Sequence, residues 1–364
     1  HVERLEASEG RDAVGRHPVG AGPFEFKRWE RDVQVELERF DAYWAPRPRP
    51  DRIVFLENIS SDVASARFRN GDLDVLYRPS KVNRLFLRSA EPWAPYRAET
   101  PSASVFALGL NCELPPFDNG HVRRAVAFAI DRSKLDKLDP GQVIAATQIL
   151  PPMLAPHDPD LPSKQVFDLE RAKEEMRKAG FPNGLDEPVQ LWVRGEGEVR
   201  VAQLFQQDLR EIGIEIELKM VSFATYLKET GKPRVAQAAF TGWHQDFPDP
   251  SNFMDILFHS RSIHPENSEN RSFYRNAKLD AILDRARPET DRAKRLALYA
   301  EANAILAEEA PWAFLYYPVD MFVWQPYVKG FRPHPVWLNE YRNVWLDLPK
   351  KRVRQSEYAE DSHP

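Results

Sequence analysis

Two stretches in the middle of the chain pass from helical to strand periodicity across a single glycine, and this repeated step limits the possible folds more than any other feature. From Asp168 to Ala179 the pattern is helical, opened by Asp168 and stopped by Gly180, and "VQLWV" follows as a strand. From about Glu198 to Ile212, Val201, Phe205, Leu209 and Ile212 recur at helical spacing; Gly213 then ends the helix, and Ile214, Ile216, Leu218 and Met220 alternate with Glu215, Glu217 and Lys219. A helix feeding directly into a strand twice over is α/β layering. The second strand is expected inside its sheet, with the even-numbered residues buried.

The flanking sequence extends this reading. Phe24, Phe26, Val33, Val35 and Leu37 alternate with polar residues, as in a β-hairpin with one buried face. "DRIVFLENI" and "SVFALGLN" are further strands, separated by a short helix around Ala64, Arg67 and Phe68 that Gly71 ends. After Asn119, Val122, Ala125, Val126, Ala129 and Ile130 define a helix that Asp118 or Asn119 can cap. "ILPPMLAPHDPDLP" is an irregular proline-rich crossing. Helices are expected at Ala277–Ala286 and Asp291–Glu309, split by Pro288, then strands at "WAFLYY" and "NVWLDL". The prolines of "FTGWHQDFPDPSNF" (240–253) exclude an interior helix there, and its aromatic content is high for a plain loop.

Composition removes several function classes. At 364 residues the chain has room for two domains, and 42% hydrophobic with 29% charged residues is ordinary for a globular protein. A net charge of −5 argues against a nucleic-acid or anionic-membrane surface, and the basic "KKRVR" near the end is a solvated tail. "APRPRP" is a strand connector rather than a polyproline ligand. No apolar run is long enough to span a bilayer. Cys112 is the one cysteine, which excludes an intrachain disulfide framework; its setting marks a small buried residue. The first residues carry no signal peptide, so the chain is expected either to be cytoplasmic or to lack its true start.

No P-loop, dinucleotide fingerprint, zinc-protease helix or nucleophile elbow is present, and no isolated pair of acids suggests general acid–base work. The reading is therefore of no enzyme, no cofactor and no metal. His244, Asp246, Asp249 and His259 lie close in sequence, but nothing in their spacing fixes a metal geometry.

Several ordered blocks resemble the peptide/nickel-type solute-binding proteins of ABC importers, the family of the oligopeptide- and dipeptide-binding proteins. "PVGAGPFEFKRWERDVQVELERFDAYW", "RFRNGDLDVLY", "LGLNCELPPFDNGHVRRAVAFAIDRSKL", "FDLERAKEEMRKAGFPNG", "LREIGIEIEL" and "GWHQDFPDPSNF" follow one another in the family's order, from about Pro18 to Leu348. The resemblance implies a two-lobed periplasmic-binding-protein-like α/β fold (type II, cluster C) that closes on its ligand, with the N-terminal part of lobe I missing from this chain. The lobes are then expected as a leader at 1–17, partial lobe I at 18–134, lobe II at 135–318, a return to lobe I at 319–349 and a disordered tail at 350–364.

By the same resemblance, the chain captures a peptide or similar amine-bearing solute and delivers it to ABC permease subunits from the periplasm, through contacts completed on lobe closure. Asp246 matches the family's acid for the ligand's α-ammonium group; flanked by Trp243 and Phe247, it is expected to be shielded from water and to open near Asn111. Asn111 matches an asparagine that can bond a peptide backbone, with an Asx turn as the alternative. Trp243 and Phe223 match aromatic pocket positions, and His244 neighbours them. Phe240 stands where oligopeptide binders carry an arginine, so a ligand carboxylate lacks an obvious partner; Arg194 and Arg200 are the available candidates. Two other readings stay open: the ligand-sensing domain of a cytoplasmic transcriptional regulator, and a nickel or metallophore binder using His244 and His259.

Overall fold

The computed structural model describes residue 15, residues 17–334, residue 336 and residues 340–349. Most of the expected leader and all of the expected tail, "KKRVR" included, lie outside the described residues. The chain divides into two compact units, residues 1–100 with 320–364 and residues 101–319.

In the first unit, β1 (Phe24–Glu30), β2 (Gln34–Arg39) and β3 (Arg52–Leu56) form a three-stranded antiparallel sheet, with Phe26 opposite Leu37 and Leu37 opposite Ile53. The expected hairpin is there, but its apolar residues are only half covered: Trp29, Val33 and Val54 are exposed, while Glu36 is buried between Arg28 (3.3 Å) and Arg52 (3.1 Å). After it come α1 (Ser61–Arg69), β4 (Val75–Tyr77) and α2 (Lys81–Ser89). The Ser60 hydroxyl accepts from Val63 N at 3.3 Å to open α1, and Gly71 (φ +80°) turns the chain out of it, as the sequence indicated.

From β5 (Arg97–Pro101) the chain enters the second unit through β6 (Ser104–Leu110), α3 (Gly120–Ala129), α4 (Ser133–Leu138) and β7 (Val143–Ala145). Then follow α5 (Leu169–Lys178), β8 (Val189–Val193), α6 (Glu196–Arg210), β9 (Ile216–Met220), α7 (Phe223–Thr230) and β10 (Ala238–His244). The unit ends with α8 (Ser251–Phe258), α9 (Ala277–Ala286), α10 (Arg292–Glu309) and the long β11 (Trp312–Trp324). The last residues of β11, from Asp320, belong to the first unit, where Phe322–Trp324 pair with β4 and where β12 (Val328–Lys329) and β13 (Trp345–Leu346) also lie.

The sheet of the second unit has the order β11–β6–β10–β8–β9; β10, β8 and β9 are parallel, and β6 runs antiparallel to β10 and β11. It is covered on both faces. Leu108, Leu110, Val189, Leu191 and Phe240 pack with α3, α5 and α6, whereas Val105, Ala107 and Phe314 pack with α8, α9 and α10. Burial on both sides explains why β6 reads as an almost continuous apolar run.

The two helix-to-strand steps are present, and the caps act as expected. The Asn119 side chain accepts from His121 N (2.9 Å), and Asp168 from Arg171 N (3.0 Å). Caps of this kind contribute about 1 kcal/mol each. β9, however, is the edge strand of this sheet and not an interior one. Ile214 and Ile216 are buried on schedule, but Met220, the last residue of this edge strand, is 58% exposed. The proline-rich crossing has no regular structure, yet it is pinned: buried Gln165 accepts from Phe314 N (2.9 Å) and donates to Trp312 O (2.9 Å), replacing strand-pairing bonds with a side-chain amide.

Candidate functional site

Because β8, β9 and β10 are parallel, their C-terminal ends share one edge of the sheet with the start of the antiparallel β6. In α/β sheets, ligands bind outside the carboxyl ends of such strands. Trp243 and His244 close β10, with Asp246 two residues on. Arg194 follows β8, and Phe223 opens α7 just after β9.

Asp246 is held by a residue that sequence reasoning missed. Asn252, fully buried at the start of α8, accepts from Trp243 Nε1 (2.9 Å) and from Asp246 N (3.0 Å) through Oδ1, and its Nδ2 donates to Asp246 Oδ2 (3.1 Å). One primary amide thus fixes both the indole and the acid. No local pattern announces an asparagine six positions after an acid, so only the fold reveals the pair. The cap of the turn is a different acid: Asp249 Oδ1 accepts from Ser251 N at 2.9 Å and pairs with both guanidinium nitrogens of Arg295. Hydrogen bonds from Arg295 and Ser251 outweigh burial and bring the Asp249 carboxyl below its ordinary range.

The expected shielding of Asp246 is not found. The residue is exposed, because Trp243 is turned to Asn252 and the core under α8, and Phe247 stands 46% exposed in the turn. Nor does Asp246 open near Asn111. Asn111 N bonds Gln237 O at one end of the β6–β10 ladder, while Gln245 N bonds Ala103 O at the other. At about 3.3 Å per residue, the ladder from 237 to 245 separates them by roughly 25 Å. Asn111 is buried, with Nδ2 on Ala236 O (2.9 Å) and Oδ1 accepting from Glu113 N (3.0 Å), so it makes the Asx turn of a strand end. Phe240 is 0% exposed in the core beside α3 and cannot line a pocket; its carbonyl accepts from Tyr226 O–H at 2.9 Å.

The remaining candidates do gather at this edge. Phe223 is 57% exposed, and Arg194 lies over it (5.9 Å) and over Tyr226 (4.9 Å) while pairing with Glu198. His244 is exposed, with Nδ1 2.5 Å from Ser104 Oγ and its ring edge-on to Phe106 at 5.8 Å. Phe106 lies across Gly242, where an added Cβ would stand 2.6 Å from the ring; a glycine inside an apolar strand was the visible signal for such an approach.

Among the described residues, no three His, Cys, Asp or Glu side chains are placed to hold a metal ion. His259 is buried, accepts from Arg261 N (3.0 Å), and reaches Asp284 (3.2 Å) and Asp280 (3.4 Å). Cys112 is half-buried, and burial pushes its thiol up to about 11, so it is not an ionised nucleophile near neutral pH. No described helix is long and apolar enough to cross a membrane.

Comparison with known proteins identifies the family and the fold. The family described as bacterial extracellular solute-binding proteins, family 5, middle part, matches residues 3–264. The Di/tripeptide-binding protein 2 of Pseudomonas aeruginosa is 30% identical over 342 residues, which cover 92% of this chain and 63% of that protein. The Heme-binding protein A of Haemophilus influenzae is 27% identical, over 92% of this chain and 61% of its own length. The solved structure of the ABC transporter-associated periplasmic binding protein DppA from Helicobacter pylori, in complex with the peptide STSA, superposes with a TM-score of 0.84 at 28% identity, covering 95% of this chain and 67% of that one. The chain thus spans little more than three-fifths of the length of these curated relatives. It has the α/β fold of the periplasmic peptide-binding proteins, and it belongs to family 5 of the bacterial extracellular solute-binding proteins.

Proposed function

We propose that the protein is the solute receptor of an ABC importer, capturing a peptide or a similar amine-bearing solute outside the cytoplasm and handing it to permease subunits, with no catalytic step of its own. One observation carries the reading: the Asp246 carboxylate, exposed at the C-terminal edge of parallel strands, is locked in place by the buried amide of Asn252. An acid that merely solubilises a loop needs no such anchor. Relatives named for di- and tripeptide binding support the solute class.

In this reading the solute's ammonium group donates to Asp246. A charge-assisted bond of this type contributes about 1.5–3 kcal/mol net. Trp243, Phe223 and His244 offer apolar and aromatic surface beside it. Asn111 and Phe240 are left out, since the first is spent on its own turn and the second is in the core. The chain's lobes are proposed at 18–134 with 319–349, and at 135–318. The metal reading is disfavoured by the pairing of Asp249 with Arg295 and of His259 with Asp280 and Asp284. The relatives named above are binding proteins, which favours the receptor reading over the regulator reading.

The test is calorimetric titration of the intact protein and its Asp246→Asn variant with tri-alanine and N-acetyl-tri-alanine. The substitution and the acetylation are each expected to weaken binding by about tenfold to a hundredfold, and the two together scarcely more than either. Equal affinity of the wild type for both ligands would overturn the role of Asp246.

A further inference from the structure

We propose that β9 is a self-association edge: two copies of this chain pair antiparallel through Ile216–Met220, about a two-fold axis at Leu218, and so join their sheets. The proposal does not depend on which solute is bound.

β9 ends the sheet of the second unit, and among the described residues β8 is the one strand that pairs with it. The ladder shows which backbone groups remain. Val189 N donates to Glu215 O at 2.8 Å, and Val221 N donates to Val193 O at 3.0 Å. Odd-numbered residues of β9 therefore turn their N–H and C=O toward β8, and the even-numbered Ile216, Leu218 and Met220 turn theirs outward. The Ile216 carbonyl agrees with this direction. It accepts from Gln206 Nε2 on the neighbouring α6 at 3.0 Å, which leaves its second lone pair. The side chains do not close the edge, since Leu218 is half-buried and Met220 is 58% exposed. An outward row of donors and acceptors of this kind is a template for another strand.

The side chains decide which strand fits. Ile216 and Leu218 pack on the core under α6, and Met220 shares their face. Glu217 and Lys219 take the opposite face, where Lys219 Nζ lies 4.0 Å from the Trp192 ring centre. Charges on an edge strand ordinarily keep partners off. Their order here does the reverse for one partner, a second copy. In a two-fold antiparallel pair, even-numbered residues must face even-numbered ones, because these carry the outward groups. Of the registers that keep most of the strand paired, centring on Glu217 sets glutamate against glutamate. Centring on Lys219 sets lysine against lysine. Centring on Leu218 sets each Glu217 against the other copy's Lys219, on both sides of the axis, and lays each exposed Met220 against the other copy's Ile216. Opposite charges directly across a pair stabilise it and like charges oppose it. A one-residue slip is barred because it would put the apolar face against the charged one. One register is selected.

The test is sedimentation velocity of the intact protein over a concentration series. A five-residue ladder lies at the small end of specific interfaces, so the wild type is expected to pass from monomer to dimer between about 10 µM and 1 mM. Glu217→Lys sets lysine against lysine, and Lys219→Glu sets acid against acid; each alone should weaken self-association by about tenfold or more. Mixed in equal amounts, the two variants regain both opposite-charge pairs and should form a heterodimer of wild-type strength. The double variant Glu217→Lys with Lys219→Glu should dimerise by itself. Misfolded chains would not recover on mixing, so a general loss of stability does not imitate this result. A wild type that stays monomeric to about 1 mM would overturn the proposal. So would association that survives either single reversal, or single variants that fail to recombine.

Discussion

The chain builds two antiparallel pairings from different sequence, an alternating one in β1–β2–β3 and a largely apolar one in β6–β10, and uses them differently. In β1–β2–β3, apolar side chains such as Trp29 and Val54 remain exposed, and much of the visible cross-linking is ionic: Lys27 with Glu38 at 2.8 Å, and Glu36 between Arg28 and Arg52. In β6–β10, both faces are covered by helices and Val105, Ala107 and Phe240 are sealed. The lesson is that a strand's pattern follows the number of faces it has covered: alternation goes with the half-exposed sheet and a continuous apolar run with the sealed one. A sheet bonded by exposed ions is sensitive to salt and tolerant of substitution, whereas one sealed on both faces is the reverse.

The contrast can be broken from its strongest side. Phe240→Ala should cost about 3–5 kcal/mol, the usual loss for a buried phenylalanine, and lower the urea midpoint of the 101–319 unit. A smaller loss would mean that the core beside α3 collapses around the gap, and that sealing matters less than supposed.

A medium effect should come from the ion cluster between α3 and α5, in which Arg124 is largely covered as well as the acid, whereas the arginines on Glu36 are exposed. The Glu175 carboxylate takes hydrogen bonds from Arg124 Nε (2.8 Å), His121 Nδ1 (2.8 Å) and Lys178 Nζ (3.1 Å). Burial alone would raise its pKa; the hydrogen bonds from Arg124, His121 and Lys178 outweigh that and bring it down to about 2 from 4.5. A carboxyl lowered in the folded state stabilises above its unfolded value, and that stabilisation is lost as pH falls from about 4.5 toward 2. Glu175→Gln should therefore cost about 1.5–3 kcal/mol near neutral pH. It should also shift the acid-unfolding midpoint upward and flatten the pH dependence in that window. An unchanged acid-unfolding curve would show that the cluster holds nothing.

The finest comparison applies one substitution to both sheets. Val105→Thr places a hydroxyl in the sealed sheet and should cost about 1–3 kcal/mol. Val54→Thr, on the exposed face of β3, should stay within about 0.5 kcal/mol. Equal values for the two would erase the distinction between the sheets.

Much of the α/β layering was legible because its signals are local. Gly180 and Gly213 stop helices with positive φ, and Asp168 and Asn119 cap the helices they were expected to cap, while Asp291, expected as the first residue of its helix, is the cap of α10. Position within a sheet was not legible: Met220 keeps the alternation of β9 but ends an edge strand and is exposed. β10 and α8 escaped notice because burial on both faces removes alternation, and the prolines suggested a loop where Pro250 opens a helix. At the site, resemblance pointed to Asp246, Trp243, Phe223 and His244, and the structure gathers them at one edge. Asn111 was separated from them by the ladder register, a quantity no single strand contains. Asn252 was invisible for a related reason, since its role depends on where α8 lands relative to the end of β10.

That last feature has a mechanical meaning. Asn252 sits in the first turn of α8, and its one amide grips both the final tryptophan of β10 and the acid beyond it. The carboxylate is therefore geared to the helix rather than to the intervening turn. Residues 247–250 can change their path with little displacement of Asp246, whereas a small rotation of α8 would carry Trp243 and Asp246 with it as a single lever.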